Sequence, residues 1–198
     1  SLDAFEESSI LPWVNWSHKE GAYEAVSYLI GLGHCKIACV VERLDVFAIN
    51  ERLQGYLKAL QDNNIEVDST RIASLDVVNS DGYDVGLQLL SQTRDFTAVF
   101  AYCDRIAYGL IKALKEEDIS IPEDVSVISF DNIMVSNYVS PKLTTVAYPM
   151  RDIGTRGMVK LVKMISGKPF QKHETIPNEG LIVRESCSVC KESRIGGR

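Results

Sequence analysis

Asp131 and Arg52 are the two side chains whose type and setting best suit ligand chemistry. Asp131 stands just past the apolar run Val125–Phe130, VSVISF, with Asn132 beside it. In an open α/β sheet small ligands bind outside the carboxyl ends of strands, where a carboxylate is well placed to meet them. Asp and Asn are also turn formers, so spacing alone leaves a site and a plain turn equally open. Arg52 falls in the first turn of an amphipathic helix that follows the loop Glu42–Ile49. A guanidinium presents five donors in a fixed fork, suited to adjacent hydroxyls or a carboxylate. A solvated helix arginine is the alternative. Together an acid and an arginine could clamp a polyol, whose hydroxyls donate to one and accept from the other.

Other chemistry finds little footing. His18, His34 and His173 are far apart in sequence, without metal-ligand spacing, and no nucleophile elbow, Walker loop or HExxH is present. No catalytic residue, metal or cofactor is expected, and the chain is not expected to be an enzyme. The five cysteines, Cys35, Cys39, Cys103, Cys187 and Cys190, are an odd, scattered set that suits a reducing cytosol. Cys187 and Cys190 form a CxxC, but a structural zinc needs further ligands and a redox pair usually opens a helix. They are expected in a solvated polar tail. Asp104 is expected to cap the helix it precedes, and His34 to end a helix near its favourable C-terminal dipole. A net charge of −6 argues against phosphate contacts by these residues. No apolar run approaches the ~20 residues of a membrane span, and no membrane partner is expected.

The elements that must position Arg52 and Asp131 alternate, as in a parallel sheet with helices on both faces. At 198 residues the chain can bury a sizeable core. A short β-prone stretch, Leu11–Trp16, precedes a helix over His18–Leu32 with Ala22, Ala25, Val26 and Leu29 on one face, stopped by Gly33. Strands are expected at Lys36–Val41, Ile72–Asp76, Ala98–Cys103, Val125–Phe130 and Leu143–Tyr148. Helices are expected over Ala48–Asn63, over Gly82–Gln92 and onward from Asp104. A last helix, Met150–Ile165, places Met158, Leu161, Val162 and Ile165 at core spacing before Gly167-Lys168-Pro169 breaks it. Two short strands close the chain.

The segment Ile121–Pro149, IPEDVSVISFDNIMVSNYVSPKLTTVAYP, resembles the effector-sensing domain of the LacI/GalR transcriptional repressors. So do Gly21–His34 with KIACVV, Glu51–Leu60, Ala98–Gly109 and Gly180–Ser186, in the family's order. The resemblance implies a doubly wound parallel sheet of the periplasmic-binding-protein-like type I fold. It implies a nearly complete C-terminal subdomain and part of the N-terminal one, in a chain truncated at its N-terminus. The implied division is 1–16 and 145–176 in the N-terminal subdomain, 17–144 in the effector-binding subdomain, 177–186 as its closing strand, and 187–198 as a polar tail. Arg52 then matches the family's effector-contacting arginine in R-x-x-G-[FYW], and Asp131 its strand-end aspartate. Cys103 and Met150 fall at cleft positions, with a buried apolar thiol at a strand end the equal alternative for Cys103. Val77 stands where sugar-sensing relatives often carry an aromatic ring, and Trp16 or Phe47 could supply that face instead, with ordinary packing an equal alternative for either. Ser17 replaces an acid frequent in relatives. The implied function is sensing of a small molecule, such as a sugar or sugar derivative, by a cytoplasmic homodimeric repressor. Operator DNA would be met only through an N-terminal domain outside this chain. A periplasmic solute-binding protein of a transporter shares the fold and is the alternative.

Overall fold

In the computed structural model, which describes residues 11–42, 46–75, 81–177 and 179–191, the apolar runs form two sheets. The larger has six strands in the order β3-β2-β4-β5-β6-β8. These are β2 (Ile37–Glu42), β3 (Ile72–Leu75), β4 (Ala98–Ala101), β5 (Ser126–Asp131), β6 (Thr144–Ala147) and β8 (Leu181–Ile182). β2 to β6 run parallel, and β8 is antiparallel to β6. Strands covered on both faces read as continuous apolar runs, and Ala98–Ala101 is buried at every position. From β2 the order runs outward to β3, then reverses to β4 on the other side. The crevice at the carboxyl ends of β2 and β4 is therefore a topological switch point, where open α/β sheets bind ligands.

Helices α1 (His18–Gly31) and α2 (Phe47–Asp62) pack together, as do α3 (Gly82–Gln92) and α4 (Asp104–Glu116). Glycine allows each close approach. A Cβ at Gly55 would lie 2.3 Å from the Lys19 carbonyl oxygen, and one at Gly82 1.9 Å from that of Ile106. The glycine of the R-x-x-G-Y pattern is thus a contact between helices, and it fixes where α2 carries Arg52.

The smaller sheet pairs β1 (Trp13–Trp16) parallel with β7 (His173–Ile176), and α5 (Met150–Ile165) packs on β1. The chain passes between the sheets at Ser17, again between β6 and α5, and again between β7 and β8.

Several expectations are corrected. Residues from 145 on were expected to leave the large sheet, but Thr145–Ala147 pair with Ser129–Asp131, so the passage falls after Ala147. Asp104 does not cap α4. Cys103 occupies the cap position without a side-chain bond, and Asp104 is the first helical residue. Residues 187–190 are not a solvated tail. The Cys190 N–H donates to the Leu32 carbonyl at 2.9 Å, and the Cys187 thiol to that of Val127 at 3.2 Å. Burial pushes the Cys187 thiol up to about 12. His34 does follow the end of α1, where its N–H donates to the Leu29 carbonyl at 3.2 Å, but its ring is buried and held by side-chain contacts. One ring nitrogen meets Thr97 Oγ1 at 2.8 Å and the other the Ser188 carbonyl at 3.0 Å. Finally, the apolar residues Met158, Leu161, Val162 and Ile165 of α5 are exposed, while Ile153 and Lys160 are the buried ones.

Candidate ligand site at the carboxyl ends of the strands

Arg52 projects from the second turn of α2 over the carboxyl ends of β4 and β5 and is buried there. Its guanidinium carbon lies 3.9 Å from the centre of the Phe130 ring, a cation–π contact that also covers the ring. Nη1 donates to the Tyr102 carbonyl just past β4 at 2.6 Å and lies 3.2 Å from Asp131 Oδ1. Nε points at His18 Nδ1 across 3.3 Å. Charge, carbonyl and ring together fix the fork.

Asp131 ends β5 with φ +109°, and Asn132 follows at φ +53°. Side chains seldom adopt such angles, and positions of this kind cost roughly 1–3 kcal/mol and cluster at ligand clamps. The turn is held from three sides. Asn132 N–H donates to Thr145 Oγ1 at 3.2 Å, Ile133 N–H to Asp104 Oδ2 at 2.9 Å, and Arg184 Nη2 to Asn132 Oδ1 at 2.6 Å. Asp104 gathers these supports. Its fully buried carboxylate also accepts from Ser136 Oγ at 2.6 Å, from Thr145 Oγ1 at 2.7 Å, and from Ser129 Oγ.

Beside Asp131 opens a cavity of about 440 Å³, lined among others by Asn132, Tyr148, Met150 and Glu179. Its lining mixes the polar Asp131, Asn132, Arg151 and Glu179 with apolar residues such as Pro149 and Met150, a mixture that suits a small molecule carrying hydroxyls on an apolar ring.

Arg52 and Asp131 therefore come together, as the sequence suggests, but they pair directly rather than facing each other across a gap. Two opposite charges in a half-buried crevice hold one another, so a ligand must insert between them or replace one. Cys103 is buried next to the pair. Burial raises its thiol pKa, the Asp131 charge raises it further, and Arg52 lowers it. Met150, exposed, lines the cavity. Trp16 offers no ring face to a ligand, since Phe130, Tyr148 and His18 surround it and leave it buried. Phe47, the first residue of α2, is half-buried and outside the cavity lining. Val77 lies outside the described residues. Sequence reasoning missed His18, Phe130, Tyr148, Glu179 and Arg184. Arg184 sits inside the GLIVRES segment already singled out, which was the one available signal for it.

Residues 26–187 match the model of the periplasmic binding protein-like domain. The chain is 38% identical over 171 residues to the HTH-type transcriptional repressor PurR of Vibrio atlanticus (strain LGP32), covering 86% of this chain and 51% of that protein. The chain spans about half the length of the curated relatives it matches. The crystal structure of the Escherichia coli transcriptional repressor ascG superposes with a TM-score of 0.84 at 32% identity, over 94% of this chain and 68% of that one. A LacI family transcriptional regulator from Enterococcus faecium with bound ribose gives 0.84 at 31% identity, over 96% and 70%.

Proposed function

Because this chain belongs to the LacI family of transcriptional regulators, through its periplasmic binding protein-like domain, we propose that it senses a small-molecule effector for a repressor. The observation that carries this is the Arg52–Asp131 pair, 3.2 Å apart at the carboxyl ends of β4 and β5, with Asp131 lining the cavity. A sugar or sugar derivative is the proposed effector class. Its hydroxyls can accept from Arg52 and donate to Asp131, and the Enterococcus faecium regulator was solved with ribose bound. Residues 11–16 and 150–176 form the proposed second lobe, whose β1–β7 sheet joins the large sheet by single-chain passages. An effector that prefers one arrangement of the lobes shifts the balance by its difference in affinity. The relatives are named as HTH-type repressors, and operator binding would rest on a helix-turn-helix outside these 198 residues, in a cytoplasmic homodimer. Among the described residues no helix is long and apolar enough to cross a membrane. A transporter's solute-binding protein is the weaker reading, because the relatives are named as transcriptional regulators rather than as transport proteins or enzymes.

A thermal-shift panel of pentoses, hexoses, disaccharides, sugar phosphates and nucleosides tests this. A ligand at 100 times its Kd that binds only the folded state adds about 2.7 kcal/mol of stability. The Arg52→Ala variant should lose the shift with its far-UV dichroism intact. A flat panel, or a shift retained in Arg52→Ala, would count against the site.

A further inference from the structure

We propose that His18 is the positioning residue of this cleft. Its unprotonated Nδ1 sets the Arg52 fork so that one edge meets Asp131 and the other is left for a ligand, and it links that arginine to β1 through Trp16. The proposal rests on reading Arg52 as a ligand contact, and it adds a residue, a tautomer and a connection which that reading lacks.

His18 is 1% exposed and opens α1, immediately after Ser17. Two groups that can only donate converge on its Nδ1, the Trp16 indole N–H at 3.2 Å and the Arg52 Nε–H at 3.3 Å. Neither contact is possible if Nδ1 carries a proton, so the ring must be neutral with its hydrogen on Nε2. The ring cannot turn away, because Phe130 and Tyr148 stack with it at interplanar angles of 29° and 21°. Trp16 meets it edge-on.

Arg52 is then fixed at Nε by His18, at Nη1 by the Tyr102 carbonyl and Asp131, and across its plane by Phe130. Nη2 has no hydrogen-bond or ion-pair partner among the described residues. A fork held at two nitrogens and across its plane presents its remaining nitrogen in one direction, which is how a pre-organised donor selects a ligand. Trp16 ends β1 in the two-stranded sheet, whereas Arg52 stands on α2 against the six-stranded one. The shared acceptor thus joins the two sheets at the ligand-facing arginine. A ligand that draws on Arg52 changes the contact that holds β1.

The test begins without any ligand. In the 198-residue chain the 15N shifts of His18 should report the neutral tautomer with the proton on Nε2. The Arg52 Nε–H signal, assigned by its loss in Arg52→Lys, should exchange with water about tenfold faster in His18→Leu, as loss of one hydrogen bond to a charged group predicts. His18→Asn, whose Oδ1 takes the place of Nδ1, should restore the slow exchange. An imidazolium or an Nδ1–H tautomer at neutral pH overturns the proposal, whether or not the leucine variant folds. So does an unchanged Arg52 signal in a folded His18→Leu. A second arm titrates D-ribose, or whichever sugar of the panel shifts the melting temperature. Its affinity should fall about tenfold in His18→Leu and recover in His18→Asn; equal affinity in the leucine variant overturns the positioning role. If no sugar binds, the effector reading fails alone, and the tautomer and exchange readings still decide His18.

Discussion

A carboxylate with no exposed surface must find every hydrogen bond inside the protein, and Asp104 finds four, from Ser129, Ile133 N–H, Ser136 and Thr145. The last three hold the 131–136 turn on which Asp131 stands at φ +109°. Asp104→Asn keeps the shape but turns an N–H₂ toward two of those donors, leaving them buried without an acceptor. A loss of about 2–6 kcal/mol is expected, from roughly 1–3 kcal/mol for each of the two stranded donors. It should appear as a lower urea midpoint at unchanged slope. A midpoint within experimental scatter of wild type would show that the network does not support the turn. Sequence could not reveal this role. An acid before an apolar helix is fully explained by capping, while the donors lie 25, 32 and 41 residues away along the chain. The placement of Asp131 past a strand and of Arg52 near the start of a helix was legible from local pattern. Spacing left a turn and a solvated arginine equally open, and only the resemblance to the repressor family singled the two out as ligand contacts. Their direct contact, the His18 acceptor and the burial of Trp16 depend on how α1, α2 and β5 meet, which no local pattern encodes.

At the scale of elements, the strand–helix alternation from β2 to β5 was readable because each buried parallel strand is a run of apolar residues closed by a helix start. The ends of the chain were not. Residues 187–190 read as polar, yet Ser188 binds His34 through its carbonyl and Ser126 through its N–H, seating the segment on the amino-terminal edge of the large sheet. β6 was misplaced because its neighbours β5 and β8 fix its sheet through register, and register is a long-range property. The His34 contact has a pH signature. Nε2 must donate to the Ser188 carbonyl, so Nδ1 accepts from Thr97 in the neutral ring, and burial lowers the pKa from its ordinary 6.5. The unfolded chain then binds the proton more readily than the folded one. This contribution to stability is complete above 6.5 and is lost as pH falls from 6.5 toward the lower folded value. The melting temperature should therefore drop through that window, and His34→Gln should flatten the drop. A wild-type profile flat across the same window would remove His34 from the account.

For the molecule as a whole, the unresolved matter of burial lies on α5. Met158 is 60% exposed and Ile165 76%, with Leu161 and Val162 beside them, although their spacing is that of a core-facing stripe. Next to them an apolar cavity of about 330 Å³ opens between α5 and β1, lined by Leu11, Trp13, Val14, Met158, Leu161 and Met164 among others. Contiguous apolar surface of this kind is uncommon on a lone domain and marks a contact surface. The underside of α5 is nonetheless anchored. Lys160 Nζ donates to the Gln171 carbonyl at 2.7 Å and pairs with Glu174 at 3.1 Å, while Arg156 reaches the same carboxylate. The helix thus holds to its own sheet while its opposite face stays open. Burying one large side chain is worth about 1.5–3 kcal/mol, enough for several together to drive association. The 198-residue chain is therefore expected to self-associate through α5. Sedimentation velocity should show a dimer that dissociates on dilution, and the paired charge substitution Met158→Glu with Ile165→Lys should give a monomer of unchanged dichroism. Because the site residues Arg52 and Asp131 lie on other elements, that monomer should keep the thermal shift of any effector found. A wild-type chain that sediments as a monomer at high concentration would mean that the exposed stripe is tolerated rather than used.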